Sequence, residues 1–222
     1  MRYRLEFHCH TDESSPCGTV PAAEMVRLYK EAGFDGIVIT DHFFDLVEGK
    51  PEDCTWKEAV DKLLVGYRAA KAAGDNIGLD VFLGAEIRFP GSENDYLVIG
   101  LTEEFLYANE WMYMLTQPEF YKLADQNGLL LIQAHPFRPP CTPVDPQYLH
   151  GAEGYNGHKG QPNNNPLAEA FVAQNHLIET VGSDCHYTHA VGTTAMVFPE
   201  PIRSTADIVR HLRNRNYDTE KN

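Results

Sequence analysis

The sequence predicts an α/β barrel, and three observations carry that expectation. Short apolar runs alternate with amphipathic helical stretches, as parallel strands covered by helices require. Imidazole and carboxylate residues recur at the ends of those runs. No GxGxxG or Walker-type loop marks an open doubly wound sheet.

Taken in order, Tyr3 to His8 reads as the first strand. The run PAAEMVRLYKEAG follows, with Ala22, Met25, Leu28 or Tyr29, and Ala32 on one helical face. Pro21 near its start and Gly33 just past its end fit a helix. GIVIT is a second strand ending at Asp41-His42, and Thr55 caps a helical stretch with Val60, Leu63, Leu64, Tyr67 and Ala70 along one side. LDVFLGA leads to Glu86, YLVIGL to Thr102, LLLIQA to His135, AEGYN to Asn156, and IETVGS to Asp184 and His186. Seven strand candidates in so short a chain suggest a closed or nearly closed barrel. All the strands are expected to point the same way, so that the loops after them meet above one mouth and functional groups gather there.

Composition bounds the partners. A chain of 222 residues, 43% hydrophobic, suits one domain better than two. No run approaches the ~18 apolar residues of a membrane span, and MRYRLEFHCH lacks a signal peptide's apolar region, so a soluble, cytoplasmic protein is expected. Five scattered cysteines without CxxC spacing suit a reducing compartment. Lys and Arg number 18 against 32 acids, a net charge of -14, which argues against long nucleic acids held by their phosphates.

The chemistry sits at the strand ends. His8-Cys9-His10 places both imidazoles on one face of an extended segment, a pair able to bind one metal, and Asp184-Cys185-His186 repeats that geometry far away in sequence. Asp41-His42, Glu86 in GAEI and His135 in QAHPF add further donors. Two arginines are candidate anion binders, because a planar fork donates two hydrogen bonds to one group. Arg88 alternates back to the face of Glu86, and Arg138 follows His135 by three residues. Asn156, His158 and Lys159 lie beyond another strand end. His150, His176 and His189 are left outside the site, and His211 is expected on the exposed side of the last helix.

From HCHTDESSPCGT through ITDH, GAEI and AHPF to GSDCH and the closing VGTTAMVFPEPIRSTADIVRHL, the chain resembles the PHP (polymerase and histidinol phosphatase) family of metal-dependent phosphoesterases. The likeness runs over essentially all of residues 1–222. It implies a distorted (β/α)7 TIM-like barrel and a cluster of two or three divalent ions, zinc, manganese or iron. His8, His10, Glu86 and Asp184 would hold one ion. Glu86 and His135 would hold a second, and His42 and His186 a third. Asp41 would orient an imidazole. Cys17, in SPCGT, stands where the family motif PHGT has a histidine, and a thiolate can ligate zinc or iron. After YLVIG some members carry a further histidine ligand, whereas here the chain reads Leu101-Thr102-Glu103, so a second-site ligand is missing or replaced. The implied activity is hydrolysis of a small phosphate monoester. A phosphodiester or short oligonucleotide is the alternative substrate, and a non-catalytic metal- or ligand-binding barrel is the alternative role.

Overall fold

The computed structural model describes residues 2–43, 54–110 and 112–222. Among the described residues nine strands and six α-helices follow one another as β1 (Tyr3–Cys9), α1 (Ala22–Glu31), β2 (Gly36–Ile39), α2 (Trp56–Ile77), β3 (Asp80–Arg88), β4 (Asp95–Ile99), α3 (Glu103–Ala108), α4 (Gln117–Gln126), β5 (Leu130–Gln133), β6 (Gly151–Asn156), α5 (Asn165–Gln174), β7 (Ile178–Gly182), β8 (Thr194–Phe198), α6 (Thr205–Arg213) and β9 (Asp218–Lys221).

The helices form where their patterns predict. Ala22, Met25, Val26 and Tyr29 are the buried face of α1, which stops at Glu31, so that Ala32 is an exposed cap. Helix α2 starts at a full capping box, Thr55 with Glu58, which satisfies two otherwise orphaned N–H groups. It ends at Gly78, whose φ of 71° is the left-handed conformation that glycine adopts without a Cβ penalty. Val60, Leu63, Leu64 and Ala70 are buried as expected. No described helix is long and apolar enough to cross a membrane.

The strands lie in the order β7-β6-β5-β4-β3-β2-β1-β8-β9. Beyond β7 the chain returns to β1: His10 N–H donates to the Cys185 carbonyl at 3.0 Å and Cys185 N–H to the His8 carbonyl at 3.1 Å. This closes the upper end of a barrel. At the lower end β8 runs antiparallel to β1, pairing Tyr3 with Phe198. One apolar cluster draws residues from β1, β2, β3, β4, β5, β7 and β8 and fills the barrel, with Ile208, Val209 and Leu212 of α6 packed against it. Two further clusters seat α1 and α2, and α2 to α5, on the outside.

Three expectations are corrected. Strand β4 is antiparallel to both neighbours, so the strands do not all point one way. Only residues 89–94 separate β3 from β4, too short for the crossover that a parallel pair needs. The residues after β4, Leu101 to Glu103, therefore lie at the end of the barrel away from the mouth, and Asp95 at its start pairs with Arg88 at the mouth. The antiparallel pair β8 and β9, joined through α6, adds two strands to the seven expected. His211 is buried beside Ile208 and Leu212, with its ring edge against Phe198, because three-residue spacing puts it on the same face as Ile208.

Candidate metal centre

The predicted ligand residues converge on one spot. Alternation along β1 turns His8 and His10 into the mouth, and Cys9 faces the other way, its thiol donating to the Val38 carbonyl. His8 Nε2 lies 3.4 Å from both Glu86 Oε2 and Asp184 Oδ1, and His10 Nε2 lies 3.3 and 3.4 Å from the same two oxygens. His42 Nδ1 approaches Glu86 Oε2 at 3.0 Å, and His135 Nε2 approaches Glu86 Oε1 at 3.2 Å. His186 Nε2 is 3.2 Å from Cys17 Sγ, and the His186 ring lies 4.3 Å from that of His10. Two of these residues carry positive φ, His135 at 30° and Asp184 at 51°, backbone strain of the kind that accumulates at functional sites.

Hydrogen-bond acceptors behind the rings settle where the protons sit. Glu153 Oε1 faces His8 Nδ1 at 2.8 Å, so Nδ1 carries the hydrogen and Nε2 presents a lone pair. Ser15 gives its hydroxyl hydrogen to Asp41 Oδ1 at 2.7 Å, which leaves its oxygen to accept from His10 Nδ1 at 3.3 Å. The Asp184 carbonyl does the same for His186 Nδ1 at 2.9 Å. Asp41 thus acts on His10 through Ser15, and it also accepts from Thr11 N–H and the Thr11 hydroxyl. Among the described residues neither His8 Nε2 nor His10 Nε2 has a hydrogen-bond partner, although both are buried. Bare lone pairs facing two carboxylates repel each other unless a proton or a metal cation lies between them.

The electrostatics agree. Burial works to raise the Glu86 carboxyl, but His8, His42 and His135 outweigh it and hold it well below the usual range. Asp184 is likewise held low against burial by His8, His10 and Arg138. Burial, with His42 next, pushes His10 well below its ordinary value, which keeps it neutral as a ligand must be. His8 goes the other way: Glu153, Asp184 and Glu86 overcome burial and draw a proton for which a cation would compete. Burial raises Cys17, but hydrogen bonds with His186 and His42 bring it down to about 7. Burial lifts Asp41 to about 6 in spite of Thr11 and Ser15.

A cleft of about 300 Å3 opens over the cluster, lined by Cys17, Arg88, Arg138, His158 and Tyr187 among others. Arg88 is held by Asp95 through two hydrogen bonds of 2.8 and 3.1 Å. Arg138 is held by Asn163, Asn156 and Asp184 at 2.8, 2.9 and 2.6 Å. Asn156 is thus part of the site, whereas Lys159 is exposed and outside the cleft lining. A larger cavity of about 450 Å3 lies at the other end of the barrel, between Lys71, Thr102 and Arg203, away from every member of the cluster.

Sequence reasoning missed Glu153, Ser15, Asp95 and Cys141. One atom each from Asp95, His135 and Cys141 lie within 4.8 Å of one another, as do atoms of His8, Glu86 and His135, of His8, His10 and Asp184, and of His10, His42 and His186. Glu153 is the second residue of the predicted strand AEGYN, and inward alternation is the available signal. Cys141 lies in a loop that carries no periodicity.

Comparison with known proteins identifies the family. The PHP domain model matches residues 6–175, and the PHP-associated model matches residues 162–217. The chain belongs to the PHP domain family. Among solved structures it is similar to PsfC from Pseudomonas syringae, with a TM-score of 0.72 and 21% identity over 100% of this chain and 92% of that one. A two-domain Bacteroides vulgatus protein containing a predicted PHP-like metal-dependent phosphoesterase gives 0.68 and 20%, covering 100% of this chain and 65% of that one. The lesion-specific endonuclease PfuEndoQ from Pyrococcus furiosus gives 0.63 and 14%, over 96% and 56%. At these identities the likeness is one of fold, a distorted TIM-like barrel. No curated protein matches the chain in sequence.

Proposed function

We propose that this PHP protein is a metal-dependent phosphoesterase that hydrolyses a small phosphate monoester. The observation that carries this reading is the pair of buried, bare Nε2 atoms of His8 and His10, each set against both Glu86 and Asp184. His8, His10, Glu86 and Asp184 would hold one divalent ion, Glu86 with His135 a second, and His42, His186 and Cys17 a third. Such ions neutralise phosphoryl oxygens and bring the pKa of a bound water toward ~7.

The chain's own residues supply the rest. Glu153, Ser15 and the Asp184 carbonyl hold three imidazoles in the tautomer that aims Nε2 at the cluster. Arg138, fixed by two asparagines and Asp184, presents a rigid guanidinium to the phosphoryl group, and Arg88 lines the same cleft. His158 lines the cleft, and its Nδ1 accepts from Gly160 N–H, so the neutral ring keeps its hydrogen on Nε2. We assign its Nε2–H as a hydrogen-bond donor to the oxygen of the leaving alcohol. The volume of the cleft suits one phosphate on a small alcohol, and the net charge of -14 disfavours a long polyanion.

The test is turnover by protein loaded with zinc, manganese or iron, on panels of phosphomonoesters, phosphodiesters and short oligonucleotides, beside His8→Ala and Asp184→Asn. Monoester cleavage lost in both variants is the expected result. Fully loaded protein that cleaves nothing would leave a binding barrel, and cleavage confined to diesters or oligonucleotides would overturn the monoester assignment.

A further inference from the structure

We propose that Asp95 and Cys141, with His135, hold a divalent ion beside Glu86, a position that mixes thiolate, carboxylate and imidazole. The proposal rests on the metal cluster inferred above and is independent of its phosphoesterase chemistry. His135, Asp95 and Cys141 are 5%, 6% and 7% exposed, so three polar groups share a buried corner of the mouth. Asp95 Oδ2 lies 3.9 Å from His135 Nε2, Glu86 Oε1 lies 3.2 Å from that same nitrogen, and Cys141 Sγ lies 3.6 Å from Nδ1. One atom each of Asp95, His135 and Cys141 lie within 4.8 Å of one another, so one ion with bonds of ~2.0–2.3 Å can gather a carboxylate oxygen, the thiolate and one nitrogen of the His135 ring once the side chains turn toward it.

This meeting is built rather than incidental. Because β4 runs antiparallel, its first residue, Asp95, stands at the mouth opposite Arg88. The loop after His135 is then fastened to the residues just ahead of Asp95. Thr142 N–H donates to Asn94 Oδ1 at 2.8 Å, and the Cys141 thiol to the Glu93 carbonyl at 3.3 Å. Gln133 grips the same loop from below, donating to the Thr142 carbonyl at 2.8 Å and accepting from Val144 N–H at 3.2 Å. Arg88 orients Asp95 with two hydrogen bonds, and a carboxylate with ~four lone-pair sites retains room for a cation. Binding sends the thiol proton of Cys141 to solvent. Cys17 sits with His186 on the other flank, so the two thiols report on separate positions. Sulfur among the donors favours zinc or ferrous iron over magnesium and manganese.

Cobalt(II) loaded into the full chain tests this through its near-ultraviolet sulfur-to-cobalt band and through metal content. Cys17→Ser, at an exposed residue, is expected to keep part of the band. Adding Cys141→Ser should abolish the remainder, and Asp95→Asn should weaken cobalt binding at that position by at least ~10-fold. A metal-loaded Cys17→Ser protein with no sulfur band overturns the proposal, and that arm decides the matter even if the double variant does not fold. So does a band that survives the double substitution. Absence of phosphate-ester turnover in protein that shows the Cys141 band would sink the proposed activity alone.

Discussion

Glu153→Gln isolates the control of one ligand's proton. Glu153 spends Oε1 on His8 Nδ1 at 2.8 Å, and Oε2 on His135 N–H at 2.9 Å and the Asn156 amide at 3.0 Å. Glutamine keeps the shape but has one acceptor oxygen and one donor nitrogen. If its oxygen serves His8, its NH2 opposes the buried His135 N–H, and leaving that donor unsatisfied costs about 1–3 kcal/mol of fold stability. If its oxygen serves His135, the amide donates to His8 Nδ1, and the ring hydrogen moves to Nε2, the atom that faces Glu86 and Asp184. Losing a partner that orients a metal-binding histidine typically lowers affinity by ~10–100-fold, or about 1.4–2.7 kcal/mol. Both quantities are measurable: zinc competition against a chromophoric chelator reads the affinity, and urea unfolding of metal-stripped protein reads the fold. Zinc affinity within about twofold of the parent together with unchanged urea stability of the metal-stripped protein would refute the argument that Glu153 sets the His8 tautomer.

Three further outcomes follow from the same geometry. Gly66→Ala should destabilise by roughly 1–3 kcal/mol in thermal unfolding, although Gly to Ala inside a helix normally stabilises, because the new Cβ would stand 2.0 Å from Thr11 Oγ1 and 2.5 Å from Asp41 Oδ2; a raised Tm would contradict it. In metal-stripped protein, alkylation of Cys17 should accelerate with a midpoint near pH 7, since the neighbouring imidazoles outweigh burial and bring the thiol down to about 7. The same shift makes metal-stripped protein gain stability as pH rises from 7 toward the ordinary thiol range, where the unfolded chain still holds the proton; a midpoint as high as that of a free thiol, ~8.5, would refute both. His158→Ala should lower kcat by ~10²-fold for alkyl phosphates and far less for p-nitrophenyl phosphate, whose leaving oxygen develops charge that needs little stabilisation; equal losses would remove His158 from that role.

The cluster was legible in the sequence because a strand converts spacing into direction. Two-residue alternation sends His8 and His10 to one side and Cys9 to the other, and a closed barrel brings residues 42, 86, 135 and 184 to the same mouth without any knowledge of packing. The direction of β4 was legible too: residues 89–94 are too few for a crossover, and that count alone would have moved attention from Leu101 to Asp95. His211 shows the cost of judging by residue type, since its three-residue spacing from Ile208 marked it as buried while its polarity suggested water. What no spacing reveals is which nitrogen of each imidazole carries the hydrogen. That choice is made for His8 by Glu153, 145 positions away, and for His10 by a serine that has given its own hydrogen to Asp41. Strand geometry therefore selects the donors, whereas a hydrogen-bonded layer behind them selects the atom that binds. Substitutions in that layer are expected to change metal affinity while leaving the ligand list intact.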